Sequence, residues 1–131
     1  MYEIIAVIRL HRLQQTKEAL AAAGFPAFTA VRALGRGWGT GLENGGNLSA
    51  AAGSEASASP PAPAMLPRLF PKRLVSLVVP ANLVERAVQV IIAANQTRTP
   101  GDGKIFVIPV TQARRLRSGE SGPAAIDEMT G

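Results

Sequence analysis

The stretch TRTPGDGKIFVIPVTQARRLRSGESG, residues 97–122, joins a polar turn to a strand pattern and a basic segment. The Gly-Asp-Gly-Lys turn at 101–104 permits positive φ and close approach of the backbone, because glycine carries no Cβ. The apolar run at 105–110 predicts a short strand. Exposed N–H groups of the turn, together with Arg115 and Arg117, suit a phosphate or carboxylate. A solvated β-turn with a basic strand end fits the same residues, so both interpretations stay open here.

Hydrophobic periodicity on either side of this stretch predicts the rest of the fold. Two helical patterns and three further strand patterns are interrupted by one long segment without any pattern. We predict strands at 2–10, 25–34, 72–80 and 104–110, and helices at 11–24 and 82–95, the second capped by Asn82. This order predicts an α+β, ferredoxin-like βαββαβ fold, with both helices on one face of an antiparallel sheet. The strands are apolar on both sides, so the other face needs a second subunit to cover it.

Composition narrows the classes of protein. The chain has 131 residues, enough for one domain, with 47% hydrophobic residues and no cysteine, which excludes disulfides and thiolate chemistry. It has no apolar stretch of membrane-spanning length and no signal-peptide pattern at its start, so we expect a cytoplasmic protein. The net charge of +5 favours anionic ligands, but aromatic residues make up only 5%. Small phosphorylated ligands therefore fit better than nucleic acid.

The long segment at 35–69 is rich in Gly, Ser, Ala and Pro, a composition that cannot form a core. We expect a mobile loop there, and loops of this length inside a compact domain are usually functional. The segment 118–131 is small and polar, and we expect it to fray. His11, the only histidine, has no carboxylate or serine in a triad-like context and is interpreted as a surface or capping residue.

Five blocks of the sequence resemble the PII nitrogen-regulatory signal proteins. They are GDGKIFVIPV (101–110), RLRSGESG (115–122), IIAVIRLHRLQQTKEALAAAGF (4–25), FTAVRALGRG (28–37) and LPRLFPKRLVSLVVP (66–80). The resemblance implies a homotrimer of ferredoxin-like subunits over residues 1–117, whose inter-subunit clefts bind ATP or ADP and, with Mg-ATP, 2-oxoglutarate. It also implies a target-binding T-loop at about 36–70, a B-loop at about 97–104 and a basic C-loop after the last strand.

Carried over position by position, the resemblance implies a set of nucleotide-binding residues and one effector-binding lysine. The nucleotide set is Thr29, Gly35, Gly37, Gly101, Asp102, Gly103, Lys104, Arg115 and Arg117. Lys72 matches the lysine that pairs with a carboxylate of 2-oxoglutarate. No catalytic residue and no protein-held metal are expected, and Mg²⁺ would be held by the ATP phosphates. We expect residues 97–122 to form one half of a cleft whose other half, Gly35–Gly41 with Lys72, comes from a neighbouring subunit, or the reverse.

Three departures from the family pattern stand out. Trp38-Gly39-Thr40 replaces the usual Arg-Gln-Lys, and the glutamine there ordinarily helps to hold Mg²⁺ and 2-oxoglutarate. The only tyrosine is Tyr2, which excludes uridylylation of a T-loop tyrosine. The loop is also longer than in the common regulators of glutamine synthetase.

The segments GFPAFTAVRALGRG, PKRLVSLVVP and NQTRTPGDGKIFV are most similar to the nitrogenase-associated branch. That similarity implies a non-enzymatic protein that binds the nitrogenase molybdenum–iron protein and switches it off, with 2-oxoglutarate relieving the inhibition. The protein would act as a homotrimer or as a mixed assembly with a paralogue. The alternatives are a regulator of another target (an ammonium channel, glutamine synthetase or a metabolic enzyme), a nucleotide-hydrolysing enzyme, a nucleic-acid-binding protein and a metal-binding trimer.

Overall fold

The computed structural model describes residues 1–37 and 68–127, and it confirms the ferredoxin-like plan. Over these residues a four-stranded antiparallel sheet has the order β2-β3-β1-β4. The strands are β1 Tyr2–Arg9, β2 Thr29–Gly35, β3 Phe70–Val79 and β4 Lys104–Pro109. The helices are α1 Leu13–Ala22 and α2 Val84–Asn95, and short 3-10 turns span Leu10–Arg12, Ala81–Leu83 and Gly122–Ile126.

Alternation along the two central strands decides which sheet face is buried. In β1, Ile4, Ala6 and Ile8 are almost fully buried, and their β3 neighbours Val75 and Leu77 are buried with them. Because successive strand residues point to opposite faces, these side chains share the face that packs on the helices. The helices complete the core with Leu20, Ala87 and Ile91.

A buried polar bridge holds the two helices together. The Asn95 side-chain amide donates to the Thr16 hydroxyl at 3.0 Å and to the Ile91 carbonyl at 2.9 Å. Asn95 is 5% exposed and Thr16 is fully buried, so the bridge satisfies polar groups that burial would otherwise leave without a partner.

Several predicted boundaries differ from the observed ones, and two of these differences have identifiable local reasons. Asn82 does not cap α2, because it lies inside the preceding 3-10 turn and the helix begins at Val84 with no side-chain cap. The second strand begins at Thr29 and not at residue 25. Phe25 is buried in the core, and its N–H still donates to the Leu20 carbonyl at the end of α1.

The sheet face away from the helices is apolar and open in the described chain. Val31 and Phe106 are each 50% exposed and Ile108 is 42% exposed. They alternate with buried or helix-facing residues on β2 and β4, which are the two edge strands. No helix within residues 1–37 and 68–127 is long and apolar enough to cross a membrane.

The segment after β4 differs from the fraying tail that its composition predicts. Residues 118–127 fold back, with an isolated bridge between Arg114 and Ser121 and a 3-10 turn at Gly122–Ile126. Residues 128–131 and most of the predicted T-loop, residues 38–67 with Trp38-Gly39-Thr40, lie outside the described residues.

Candidate functional site

The turn that precedes β4 is built around the carboxylate of Asp102. That carboxylate accepts hydrogen bonds from the backbone N–H groups of Thr97 at 2.7 Å and Arg98 at 2.8 Å, and a further one from the Thr97 hydroxyl. Arg98 takes a left-handed conformation with φ of 64°, as does Gly101 with φ of 96°. The Asp102 carboxylate therefore points into the loop and fixes its conformation by accepting hydrogen bonds from the loop's own donors.

Gly103 is required where the turn passes β1. Its φ is 108°, and a Cβ at this position would stand 1.9 Å from the carbonyl oxygen of Val7. Any side chain would push the turn away from β1, where Lys104 pairs with Val7 at the start of β4. The structure thus shows a close approach of the turn to the chain's own strand β1, while its approach to a ligand stays a prediction.

Arg9 is the site residue that the sequence analysis missed. Its guanidinium lies 2.5 Å from the Asp102 carboxylate, and it also donates to the hydroxyls of Thr97 and Thr99 and to the Pro100 carbonyl. Its side chain is 8% exposed. The available signal was a cation at the end of an otherwise apolar strand, since a buried arginine needs a carboxylate partner.

Hydrogen bonding controls the ionisation of Asp102. Burial alone would raise the pKa of this carboxyl, but donors from Thr97, Arg9 and the Arg98 backbone outweigh burial and hold the pKa far below its usual range. The carboxylate is therefore charged at every physiological pH, and it balances the charge of Arg9.

Lys72 lies beside this cluster on the same sheet face. It is directly opposite Arg9 in the β1–β3 register, and its Cγ is 3.6 Å from the position of a Cβ on Gly35. Partial burial, and then the charge of Arg9, lower the pKa of Lys72. The negative charge of an anion bound here would oppose this lowering of the pKa, because it would favour the charged amine.

One chain thus brings together a different set of residues from the one expected. Within a single chain, Gly35 and Lys72 lie near the turn at 101–104 through Arg9. The predicted cleft between two subunits stays a prediction. Thr29 lies at the other end of β2, opposite Ser76 and about 20 Å away along the strand. Gly37 has open space around it.

The two predicted arginines of the C-loop lie after β4, outside this cluster. Arg115 pairs with the Glu120 carboxylate at 2.9 Å and donates to the carbonyls of Ala124 and Asp127 at 2.8 Å each. Its guanidinium therefore holds the folded-back tail in this structure. Arg117 is exposed. Contact of either arginine with phosphate stays a prediction.

A depression of about 470 Å³ adjoins the turn between α2 and β4. Its walls are mainly apolar, and its polar end is the turn itself. Ile91, Ile92, Val107 and residues 102–104 are among the residues that line it. Such a combination suits a ligand with a flat apolar part and an anionic part. Within the described ranges, no group of three or more His, Cys, Asp or Glu could hold a metal ion.

Comparison with known proteins gives one consistent result. The family model for nitrogen regulatory protein P-II matches residues 1–120. The "Nitrogen fixation nifHD region GlnB-like protein 2" of Methanothermobacter marburgensis is 36% identical over 131 residues, covering 96% of this chain and all of that protein. The protein of the same name from Methanobacterium ivanovii is 40% identical over 126 residues, covering 96% and 99%. The crystal structure of Arabidopsis thaliana PII bound to citrate superposes with a TM-score of 0.70 at 28% identity, covering 99% of this chain and 92% of that one.

Proposed function

The chain belongs to the nitrogen regulatory protein P-II family, and we propose that it works as an adenylate and 2-oxoglutarate sensor that controls a target protein. Family members are regulatory proteins, and this chain is a regulator and not an enzyme. Population shift provides the physical basis, since a ligand changes a loop only through different affinities for the loop's states. We place this activity in the cytoplasm, where adenylates and 2-oxoglutarate are found.

The observation that carries the nucleotide proposal is the turn locked by Arg9 and Asp102. A prebuilt loop loses little conformational freedom when a ligand binds, which favours affinity. Lys104 adds an exposed cation directly after the turn. We assign the phosphates of ATP or ADP to this loop.

The charges around Lys72 support 2-oxoglutarate as the second ligand. Asp102 neutralises Arg9, so Lys72 beside them is a cation available to a carboxylate on that face of the sheet. Mg²⁺ would arrive with the ATP phosphates and supply a Lewis acid for the 2-oxo acid group. The ligands of Mg²⁺ would then be oxygen atoms of the ATP phosphates and of 2-oxoglutarate, so the protein would not need a metal site of its own.

Assembly into a trimer would complete the site. Thr29, Arg115 and Arg117 lie apart from the turn in one chain, so we propose that a neighbouring subunit supplies them. The open apolar face at Val31 and Phe106 offers the surface on which subunits would pack. A mixed assembly with a paralogue would use the same face, and mass measurement of the complex from its native cells separates the two.

For the target we propose the nitrogenase molybdenum–iron protein, bound through the loop at about 36–70. The support is the naming of the relatives, which describes nitrogen fixation gene regions. Adding the purified chain to nitrogenase in an assay that contains Mg-ATP should inhibit acetylene reduction, and 2-oxoglutarate should relieve the inhibition. Full nitrogenase activity at saturating chain, with capture of an ammonium channel or glutamine synthetase instead, would move the proposal to another target.

Three variants test the ligand assignment by calorimetry. Lys104→Ala should weaken ATP binding by about 1–3 kcal/mol, as for loss of a charged hydrogen bond. Lys72→Ala should remove the 2-oxoglutarate response and change ATP affinity less. Lys17→Ala, at an exposed position on α1, is the control and should change neither. Unchanged ATP affinity in Lys104→Ala would show that the phosphates bind elsewhere.

A further inference from the structure

A second cationic pair lies on the opposite face of the same end of the sheet. Arg32 and Arg73 are directly opposite each other in the β2–β3 register. Arg73 is also opposite Ile8, which is buried against the helices, so the pair projects from the helix-bearing face. Lys72, one residue earlier on β3, projects from the other face and belongs to the site described above.

The two guanidinium groups have no acceptor in the part of the chain that the structure describes. Within residues 1–37 and 68–127, neither Arg32 nor Arg73 makes a hydrogen bond, an ion pair or a ring contact. Like charges directly opposite on neighbouring strands are destabilising. Most other arginines of the sheet and tail are engaged, as Arg9 and Arg115 show. Binding of an anion between Arg32 and Arg73 would therefore offset the repulsion between their like charges.

Apolar side chains surround the pair and limit what kind of anion fits. Arg32 and Arg73 line a depression of about 470 Å³ together with Leu10, Leu34 and Pro71, and we call these five residues the arginine patch. Leu34 is 65% exposed and Leu10 is 38% exposed. A site for free phosphate gains nothing from exposed leucines. A nucleic-acid track requires a longer run of cations and aromatic platforms.

We propose that the arginine patch is a docking surface for an acidic segment of a partner protein, with carboxylates on Arg32 and Arg73 and an apolar side chain on Leu34. Guanidinium groups bind carboxylates through paired, charge-assisted hydrogen bonds, and the leucines supply the apolar contact. The chain's net charge of +5 favours such a partner. Position adds to the case: the patch borders residues 35–37 and 68–70, where the chain leaves and re-enters the segment that we propose to contact the target.

A defined peptide tests this surface in the full-length protein. The probe is a fluorescent peptide of alternating glutamate and leucine, and the control peptide carries glutamine for glutamate. The glutamate peptide should bind and should weaken as salt is raised, while the glutamine peptide should not bind. Arg32→Gln and Arg73→Gln should each weaken binding by about tenfold. The matched control is Arg86→Gln, which should leave affinity unchanged. Arg86 is an exposed arginine on α2 whose guanidinium lies over the ring of Phe25.

Each remaining outcome counts for or against the proposal. ATP affinity that is unchanged in the Arg32 and Arg73 variants supports a surface separate from the nucleotide site, so the two proposals can fail independently. The proposal is overturned if both variants bind the peptide normally, or if a single-stranded oligonucleotide displaces it more strongly than unlabelled peptide does. Sedimentation showing that Arg32→Gln lowers the mass of the assembly would assign the patch to contacts between copies of this chain. The long segment at 35–69 contains two glutamates, Glu43 and Glu55. Tighter peptide binding after both are changed to Gln would assign the patch to the chain's own loop and would overturn the proposal.

Discussion

Removing the Arg9 guanidinium should destabilise the fold and loosen the loop at 97–104 together. In Arg9→Met the Asp102 carboxylate keeps its donors from Thr97 and Arg98 but loses its countercharge, which lies 2.5 Å away in a side chain that is 8% exposed. Loss of a buried ionic hydrogen bond costs about 3 kcal/mol, a large share of the roughly 5–15 kcal/mol that stabilise a typical domain. Urea denaturation at one protein concentration measures the change.

A double-mutant cycle isolates the pair from other effects of the substitution. Arg9→Met, Asp102→Asn and the double variant should give a coupling energy of about 2 kcal/mol, because Asn keeps the acceptor but not the charge. The matched control is Arg115→Met with Glu120→Gln. That pair has a 2.9 Å contact, but Glu120 is 48% exposed, so its coupling should stay below about 1 kcal/mol. If the two cycles gave equal coupling energies, Arg9 could not be the anchor of the loop.

Three further predictions concern single positions. Gly103→Ala should lower the free energy of unfolding by more than about 2 kcal/mol, because its Cβ would meet the Val7 carbonyl at 1.9 Å; a melting temperature equal to wild type would contradict this. Asn95→Leu should cost about 1–3 kcal/mol in urea, because Thr16 loses a buried partner; equal stability would show that the bridge is dispensable. The Asp102 pKa is depressed on folding, so its stabilisation is complete well above the unfolded value of about 3.9 and is lost as pH falls below it. Wild type should therefore lose stability more steeply than Asp102→Asn between pH 5 and pH 2, and parallel curves would contradict the assignment.

The sequence predicted the order of elements well, because strong apolar alternation in β1 and β3 leaves little choice of buried face. The Gly-Asp-Gly composition also indicated a turn before β4, whereas Lys72 was singled out only by the family resemblance, and its role stays a prediction. The predicted boundaries were wrong where tertiary contacts outweighed the local sequence pattern. Phe25 fits a strand pattern, but its N–H donates to the Leu20 carbonyl at the end of α1 and its side chain packs in the core. The segment at 118–127 looked too polar to order, yet Arg115 organises it through contacts that no local pattern encodes.

The role of Arg9 could not be predicted from spacing. Its partner Asp102 lies 93 residues away, and only the pairing of β1 with β4 brings them together. The division of the predicted site also depends on three-dimensional register. Alternation places Lys72 with Arg9 on one face and Arg73 with Arg32 on the other, so neighbouring residues of β3 serve two separate surfaces.

Titration of Mg-ATP into the full-length chain, with and without 2-oxoglutarate, tests the central claim most directly. We expect ATP to bind with sub-millimolar affinity, and 2-oxoglutarate to bind only when Mg-ATP is present and to tighten ATP binding in return, as linkage requires. Absence of any heat change with ATP or ADP, in a preparation whose fold is verified by its melting curve, would contradict the account of this chain as an adenylate sensor.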